Sequence, residues 1–112
     1  MKIAIPTVNG KLAMHFGHCE QFAIVNVDDA SKKITGVDLE TPPPHEPGVL
    51  PRWLKDYGAN IIISGGMGGR AKGMFENYGI QVVTGAPADE PKKVAGAWLE
   101  GNLVTGENAC DH

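Results

Sequence analysis

Apolar positions along this chain follow two rhythms. Short continuous or alternating runs mark strands: Lys2 to Pro6, "KIAIP", is β-branched and stopped by proline, and Gln21 to Asp28, "QFAIVNVD", is mostly apolar and reads as central. Ile34 to Glu40, "ITGVDLE", follows the polar "DASKK" as the second arm of an antiparallel hairpin, while Asn60 to Ser64, "NIIIS", reads as a buried strand and Ile80 to Gly85, "IQVVTG", as the next strand. The other rhythm is helical. Leu50, Trp53, Leu54 and Tyr57 recur at spacings of three and four within Val49 to Tyr57, and Gly58 stops the run; Ala71, Met74, Phe75 and Tyr78 do the same within Arg70 to Tyr78 before Gly79. Val94, Ala95, Trp98 and Leu99 form a third apolar face, entered near Asp89 and Pro91 and closed by Gly101.

The order is strand, hairpin, helix, strand, helix, strand, helix. Strands joined by helical crossovers beside a hairpin predict a mixed, layered α/β sheet. Between the first two strands, Thr7 to Glu20 holds no period and reads as an irregular loop, with Asn9-Gly10 as a turn signal. "TPPPHEPG" is an extended, semi-rigid connector, too short to separate domains. Residues 1–104 therefore form one domain, and the tail 105–112 lacks an apolar anchor and is expected to be mobile until a ligand orders it.

Composition narrows the function classes. A chain of 112 residues, 42% hydrophobic and 21% charged, supplies one core. A formal charge of -3 with no basic stripe argues against nucleic-acid binding, which rests on clustered Lys and Arg against phosphates. The apolar stretch of "MKIAIPTVNG" is too short for a signal sequence and no run approaches a membrane span, so the expected location is cytoplasmic. In that reducing compartment Cys19 and Cys110 are better read as thiols or thiolate ligands than as a disulfide closing a very long loop.

"MHFGHCEQF", residues 14–22, brings His15, His18 and Cys19 onto one short glycine-containing loop, and the chain ends "ACDH", with Cys110 and His112. Imidazole and thiol donors in this mixture suit zinc, copper or iron, although two cysteines cannot supply a four-thiolate cluster from one chain. An extended tail reaches ~20 Å beyond Val104 at about 3.3 Å per residue, enough for the two ends to meet. The bland alternative is that the histidines are ordinary loop residues and "CDH" a solvated tail. His45, among prolines, reads as surface; Met14 and Met67 read as packing before soft ligands; Phe16 and Phe22 read as anchors of the loop to the core.

"GGMGGRA" lies between a strand and a helix, so amides around Gly66, Gly68 and Gly69, with Arg70 and Lys72, could face an anion. Equally, the glycines could serve only a tight turn and close helix packing. Gly66, Gly68 and Ala71 fit a dinucleotide fingerprint, but the next strand lacks the acidic residue that grips a ribose. Cys19 beside His18 has no identifiable orienting acid or oxyanion feature for nucleophilic catalysis.

"HFGHCEQF", "ANIIISGGMGGRA", "YGIQVVTG" and "AWLEGNL" together resemble the nitrogenase iron-molybdenum cofactor biosynthesis accessory family, across nearly the whole chain. That resemblance implies a three-layer fold with a ribonuclease H-like motif, a mixed five-stranded sheet with one antiparallel strand and about three helices. It also implies a non-catalytic carrier or scaffold for a metal-sulfur cluster containing iron, molybdenum or both, exchanging it with donor and acceptor proteins. A metal-free interaction or regulatory module, docking partners through the proline-lined surface around His45, is the alternative. Neither reading fixes the oligomeric state.

Overall fold

Ile3, Ala4 and Ile5 are wholly buried although their side chains alternate between faces, which is possible only for a strand covered on both sides. They lie in β1 (Lys2–Val8), the middle of a sheet whose other long strands are β3 (Gln21–Asp28) and β4 (Lys33–Glu40). Two short strands, β5 (Ile61–Ile63) and β6 (Gln81–Val83), complete the order β4-β3-β1-β5-β6. β3 runs antiparallel to both its neighbours, whereas β1, β5 and β6 run parallel. This computed structural model describes residues 1–44, 46 and 48–106, the side chain of His18 excepted. Cys110, His112 and His45 lie outside the described residues, as does the mobility expected of the terminal stretch.

Three helices complete the layers. On one face α1 (Val49–Tyr57) and α2 (Gly69–Asn77) pack Leu50, Leu54 and Phe75 into a cluster with Ala4, Phe22, Ile24 and Ile62. On the other, α3 (Pro91–Leu99) packs Val94 and Ala95 with Ile3, Ile5, Val25, Ile61 and Ile63. The alternation along "QFAIVNVD" thus feeds Phe22 and Ile24 to one layer and Ala23, Val25 and Val27 to the other. The three-layer α/β fold with a single antiparallel strand in its five-stranded core is the architecture expected.

The stretch after β1 is more ordered than its aperiodic sequence predicts. β1 continues through Pro6 to Val8, and Lys11–Leu12 forms a further strand, β2, paired with Thr7 and Val8. Asn9 and Gly10, at φ of 54° and 80°, make the two-residue turn between them. Pro6 is tolerated because β5 pairs only as far as Ala4, and the Pro6 carbonyl accepts the Ala13 amide at 2.8 Å. A two-residue strand leaves no readable period. On the far edge β4 carries a bulge: Gly36 pairs with Asn26 and Ile34 with Val27, leaving Thr35 unmatched, and its hydroxyl donates to the Asn26 carbonyl at 3.2 Å.

Only Phe75 is fully buried among the side chains of α2, and Tyr78, expected on the apolar face, lies past the helix end and is exposed. The helix next to the glycine loop is therefore held largely by one ring. Phe75→Ala should lower the unfolding free energy by about 3–5 kcal/mol in urea titrations. It should also accelerate amide exchange in α2 well beyond that in α3; equal acceleration in both would show that α2 has other anchors.

Candidate functional site

The loop "MHFGHC" is fixed by backbone contact with the glycine loop. Gly65 donates to the Ala13 carbonyl at 3.3 Å, and Phe16 donates to the Gly66 carbonyl at 2.9 Å. The approach is so close that a Cβ at position 65 would lie 2.8 Å from the Met14 Cα and 2.9 Å from its carbonyl oxygen. Within the loop, residues Phe16–His18 form a single 3-10 turn. The Phe16 ring packs edge-on against Phe22 and Phe75, with centroids 6.2 and 5.5 Å apart, and Phe22 does so against Trp53 at 5.6 Å. Phe16 and Phe22 thus anchor the loop, the role expected of them.

The two candidate regions meet at one cavity. About 430 Å³ in volume, it is lined by Phe16 and Gly17 of the turn, by Gly68, Arg70, Ala71 and Met74 of α2 and the residues leading into it, and by Glu46, Gly48, Leu50 and Pro51 at the start of α1. Gly68 and Gly69 are exposed, their φ angles are not positive, and a Cβ on either would meet open space. Neither turn geometry nor packing therefore calls for glycine at these two positions, which border open space. Gly66 differs. It is buried, and its carbonyl accepts both the Phe16 amide and the Ser64 hydroxyl, the latter at 3.1 Å, so it braces the loop from within.

The sequence-predicted donors do not all point the same way. His15 is exposed and lines a second groove, of about 390 Å³, with Asn9, Lys11, Met14 and Ala88. Cys19 turns inward: it is only 7% exposed, in the cluster that contains Ala13, Phe22 and Met67, and it forms no disulfide among the described residues. Burial pushes its thiol up to about 11, against a smaller opposing effect of a backbone hydrogen bond. At neutral pH it is a protonated thiol. His18 contributes its backbone to the turn that walls the larger cavity. Among the described residues no group of three or more His, Cys, Asp or Glu is placed to hold a metal ion.

Sequence reasoning missed the mouth supplied by α1 and the convergence at Gly65, Gly85 and Gly106. Gly85, at φ 80°, donates to the Gly65 carbonyl at 2.7 Å and accepts from the Gly106 amide at 2.7 Å. The chain leaving α3 is thus tied back to the end of the sheet that carries the loop. Only the glycines themselves, in "ISGG", "TGAP" and "TGEN", signal this locally.

Residues 1–101 match the family model described as dinitrogenase iron-molybdenum cofactor, and they span the sheet, the three helices and both loops of the site. The chain belongs to this family. An uncharacterized protein of Methanocaldococcus jannaschii is 34% identical over 85 residues, covering 73% of this chain and 72% of its own. The crystal structure of PH0822 superposes with a TM-score of 0.82 at 32% identity, covering 95% of this chain and 96% of that one. The apo form of the orange protein from Desulfovibrio gigas gives a TM-score of 0.70 at 20% identity over 96% of this chain and 93% of its own, a likeness of fold. Membership ties the chain to metallocofactor biosynthesis as an accessory domain. Among the described residues no helix is long and apolar enough to cross a membrane.

Within this family framework the buried thiol gives a distinct stability signature. The folded state favours protonated Cys19, so the stabilisation it brings is fully present below about pH 9 and is lost as pH rises towards about 11. The unfolding free energy of the native chain, relative to Cys19→Ala, should fall by about 2–3 kcal/mol between pH 8 and 11. A constant difference in paired urea titrations would place the thiol in water. Gly65→Ala should destabilise by about 1–3 kcal/mol, because backbone and not a flexible side chain must give way, whereas Gly68→Ala should cost under about 1 kcal/mol.

Proposed function

We propose that this chain is a non-catalytic carrier of a metal-sulfur cluster containing iron, molybdenum or both, received from one protein and passed to another. The cluster is cargo. The observation that carries the reading is the meeting of the Phe16–His18 turn and the glycine loop at one cavity, with His15, one residue before that turn, on a second groove, within a family tied to the iron-molybdenum cofactor.

Each part has a chemical task. Sulfide-rich clusters are anionic, and the exposed amide-bearing stretch Gly68–Gly69 with the Arg70 guanidinium offers them a positive, unobstructed edge. Gly66 holds the adjoining turn in place. Glu46, on the opposite lip, opposes negative charge and would set the side on which an anion rests. Phe16, Leu50, Pro51 and Met74 exclude water, which strengthens every polar contact made there. His15, His18, Cys110 and His112 are the proposed metal ligands from the two ends of the chain, with Cys19 joining as the loop opens.

Cys19 differs from the others in what its ligation requires. A thiol that titrates near 11 surrenders a whole proton when it binds metal at neutral pH, and its side chain must leave the core. Capture involving Cys19 is therefore coupled to movement of the turn and of the aromatic contacts around Phe16 and Phe22. Trp53, which packs on Phe22, supplies a fluorescence reporter of that movement.

A metal-free interaction module is the second reading, favoured by the position of the cavity beside the proline stretch, where Glu46 and Gly48 form its rim. The two part on one experiment. Anaerobic titration of the full chain with ferrous iron and with tetrathiomolybdate should show uptake that weakens as pH falls, and His15→Ala or Cys110→Ser should weaken it at least tenfold. Participation of Cys19 adds a released proton, detected as a dependence of binding heat on buffer ionisation, together with a change in Trp53 emission. Uptake that is absent, or indifferent to pH and to both substitutions, would overturn the carrier reading in favour of the module.

A further inference from the structure

Asn9 is held at positive φ, a conformation that among the described non-glycine residues only Lys32 shares, and glycine follows it. Asn9 and Gly10 are both exposed, at the tip of the ribbon made by the end of β1 and β2, and a Cβ on Gly10 would meet nothing within 4 Å. No other asparagine in the sequence precedes glycine: Asn26, Asn60, Asn77, Asn102 and Asn108 precede valine, isoleucine, tyrosine, leucine and alanine.

This dipeptide has a covalent chemistry of its own. The backbone nitrogen of Gly10 can attack the side-chain carbonyl carbon of Asn9. The N–Cγ bond forms, the Cγ–Nδ2 bond breaks, and the amide leaves as ammonia, carrying the proton given up by the Gly10 nitrogen. Water then opens the cyclic imide at either carbonyl, leaving aspartate or, with the main chain rerouted through Cβ and Cγ, isoaspartate. Glycine favours the attack because no side chain on the next carbon obstructs its nitrogen.

Ring closure requires the Gly10 nitrogen on the same side of the Asn9 Cα–C bond as Cβ, and the ribbon opposes this. Central residues at φ 54° and 80° make a type I′ turn, whose first ψ is about +30°, and there the nitrogen lies roughly opposite Cβ. The pairing of Thr7 with Leu12 and Val8 with Lys11 holds that turn closed. So do the Asn9 amide, which donates to the Glu20 carboxylate at 3.1 Å, and the Leu12 amide, which donates to the Asp89 carbonyl at 2.9 Å. The reaction therefore runs from the opened ribbon, and the opening equilibrium sets its pace.

We propose that Asn9 is a site of spontaneous deamidation gated by the β1–β2 ribbon, and that its conversion is a one-way change in the groove that holds His15. The site is independent of any cargo. A carboxylate at position 9 would stand on the groove that also carries Lys11 and His15, beside the Glu20 carboxylate that accepts the residue's amide. In the isoaspartyl product the main chain gains a carbon inside a two-residue turn, so β2 loses its register with β1.

The full chain, incubated at mildly alkaline pH, is followed by intact mass, by peptide mapping at position 9 and by enzymatic methylation of isoaspartate. Folded protein should convert at least about tenfold more slowly than the same chain unfolded in urea. Leu12→Ala removes the buried anchor of β2, and Glu20→Ala removes the acceptor of the Asn9 amide from an exposed position; each should speed folded conversion several-fold with circular dichroism unchanged. Gly10→Ala should suppress conversion in urea. The isoaspartyl fraction, separated by ion exchange, should lose protection of the Leu12 amide from hydrogen exchange while α3 keeps its own. Equal rates in folded and unfolded chains, or rates unmoved by both loosening variants, overturn the gate. Absence of conversion at position 9 in urea overturns the site, and unchanged Leu12 protection in the converted fraction overturns its effect on the groove.

Discussion

Backbones can lie directly against one another outside regular pairing only where no Cβ intervenes, and the end of the domain that carries the candidate site is built on that constraint. Gly65 admits Met14 within a distance that any side chain would forbid, and from this contact the position of the whole "MHFGHC" loop follows. Phe16 can reach the ring cluster around Phe22 and Phe75 because the Phe16 amide is held on the Gly66 carbonyl. The cavity between turn and α2 exists because that loop is drawn back over the sheet and not left projecting into solvent. Were the glycine at 65 replaced, the main chain on one side would have to withdraw, taking the wall of the cavity with it.

The fold was legible because burial leaves period in a sequence. Strands covered on both faces read as "IAI" and "NIII", and α1 shows its face at Leu50, Trp53, Leu54 and Tyr57. The β2 ribbon was invisible except for Asn9-Gly10, since two paired residues have no alternation to show. Tyr78 looks like a helical contact because the apolar spacing continues one residue past Asn77, where the helix ends, before the chain turns at Gly79. The candidate site was legible as a list of donors but not as a geometry. Spacing grouped His15, His18 and Cys19, yet a single 3-10 turn sends neighbouring residues to different surroundings, so that His15 faces a groove and Cys19 the core. Contacts between backbones distant in sequence, such as Gly85 with Gly106, carry no side-chain signature at all.

Three kinds of glycine are now distinguishable in a loop that sequence treats as uniform. Gly65 is demanded by a neighbouring main chain, Gly66 serves through its carbonyl, and Gly68 and Gly69 face space that nothing within the described chain fills. On the carrier reading proposed above, the distinction separates what holds the loop from what is left open. Rigid parts, paid for in close packing, belong to the frame; open parts face unfilled space. A thiol kept protonated in the core fits the same division, since it is inert towards stray metal and oxidant until the frame yields.

The interruption at Thr35 has its own consequence for life at high concentration. One unmatched residue reverses which peptide groups of β4 look outward, so a foreign strand aligned with one half of this border is out of phase with the other. Zipper-like growth from copy to copy, the common hazard of an uncovered sheet margin, is thereby halted after a few bonds. The margin is thus guarded by its own irregularity.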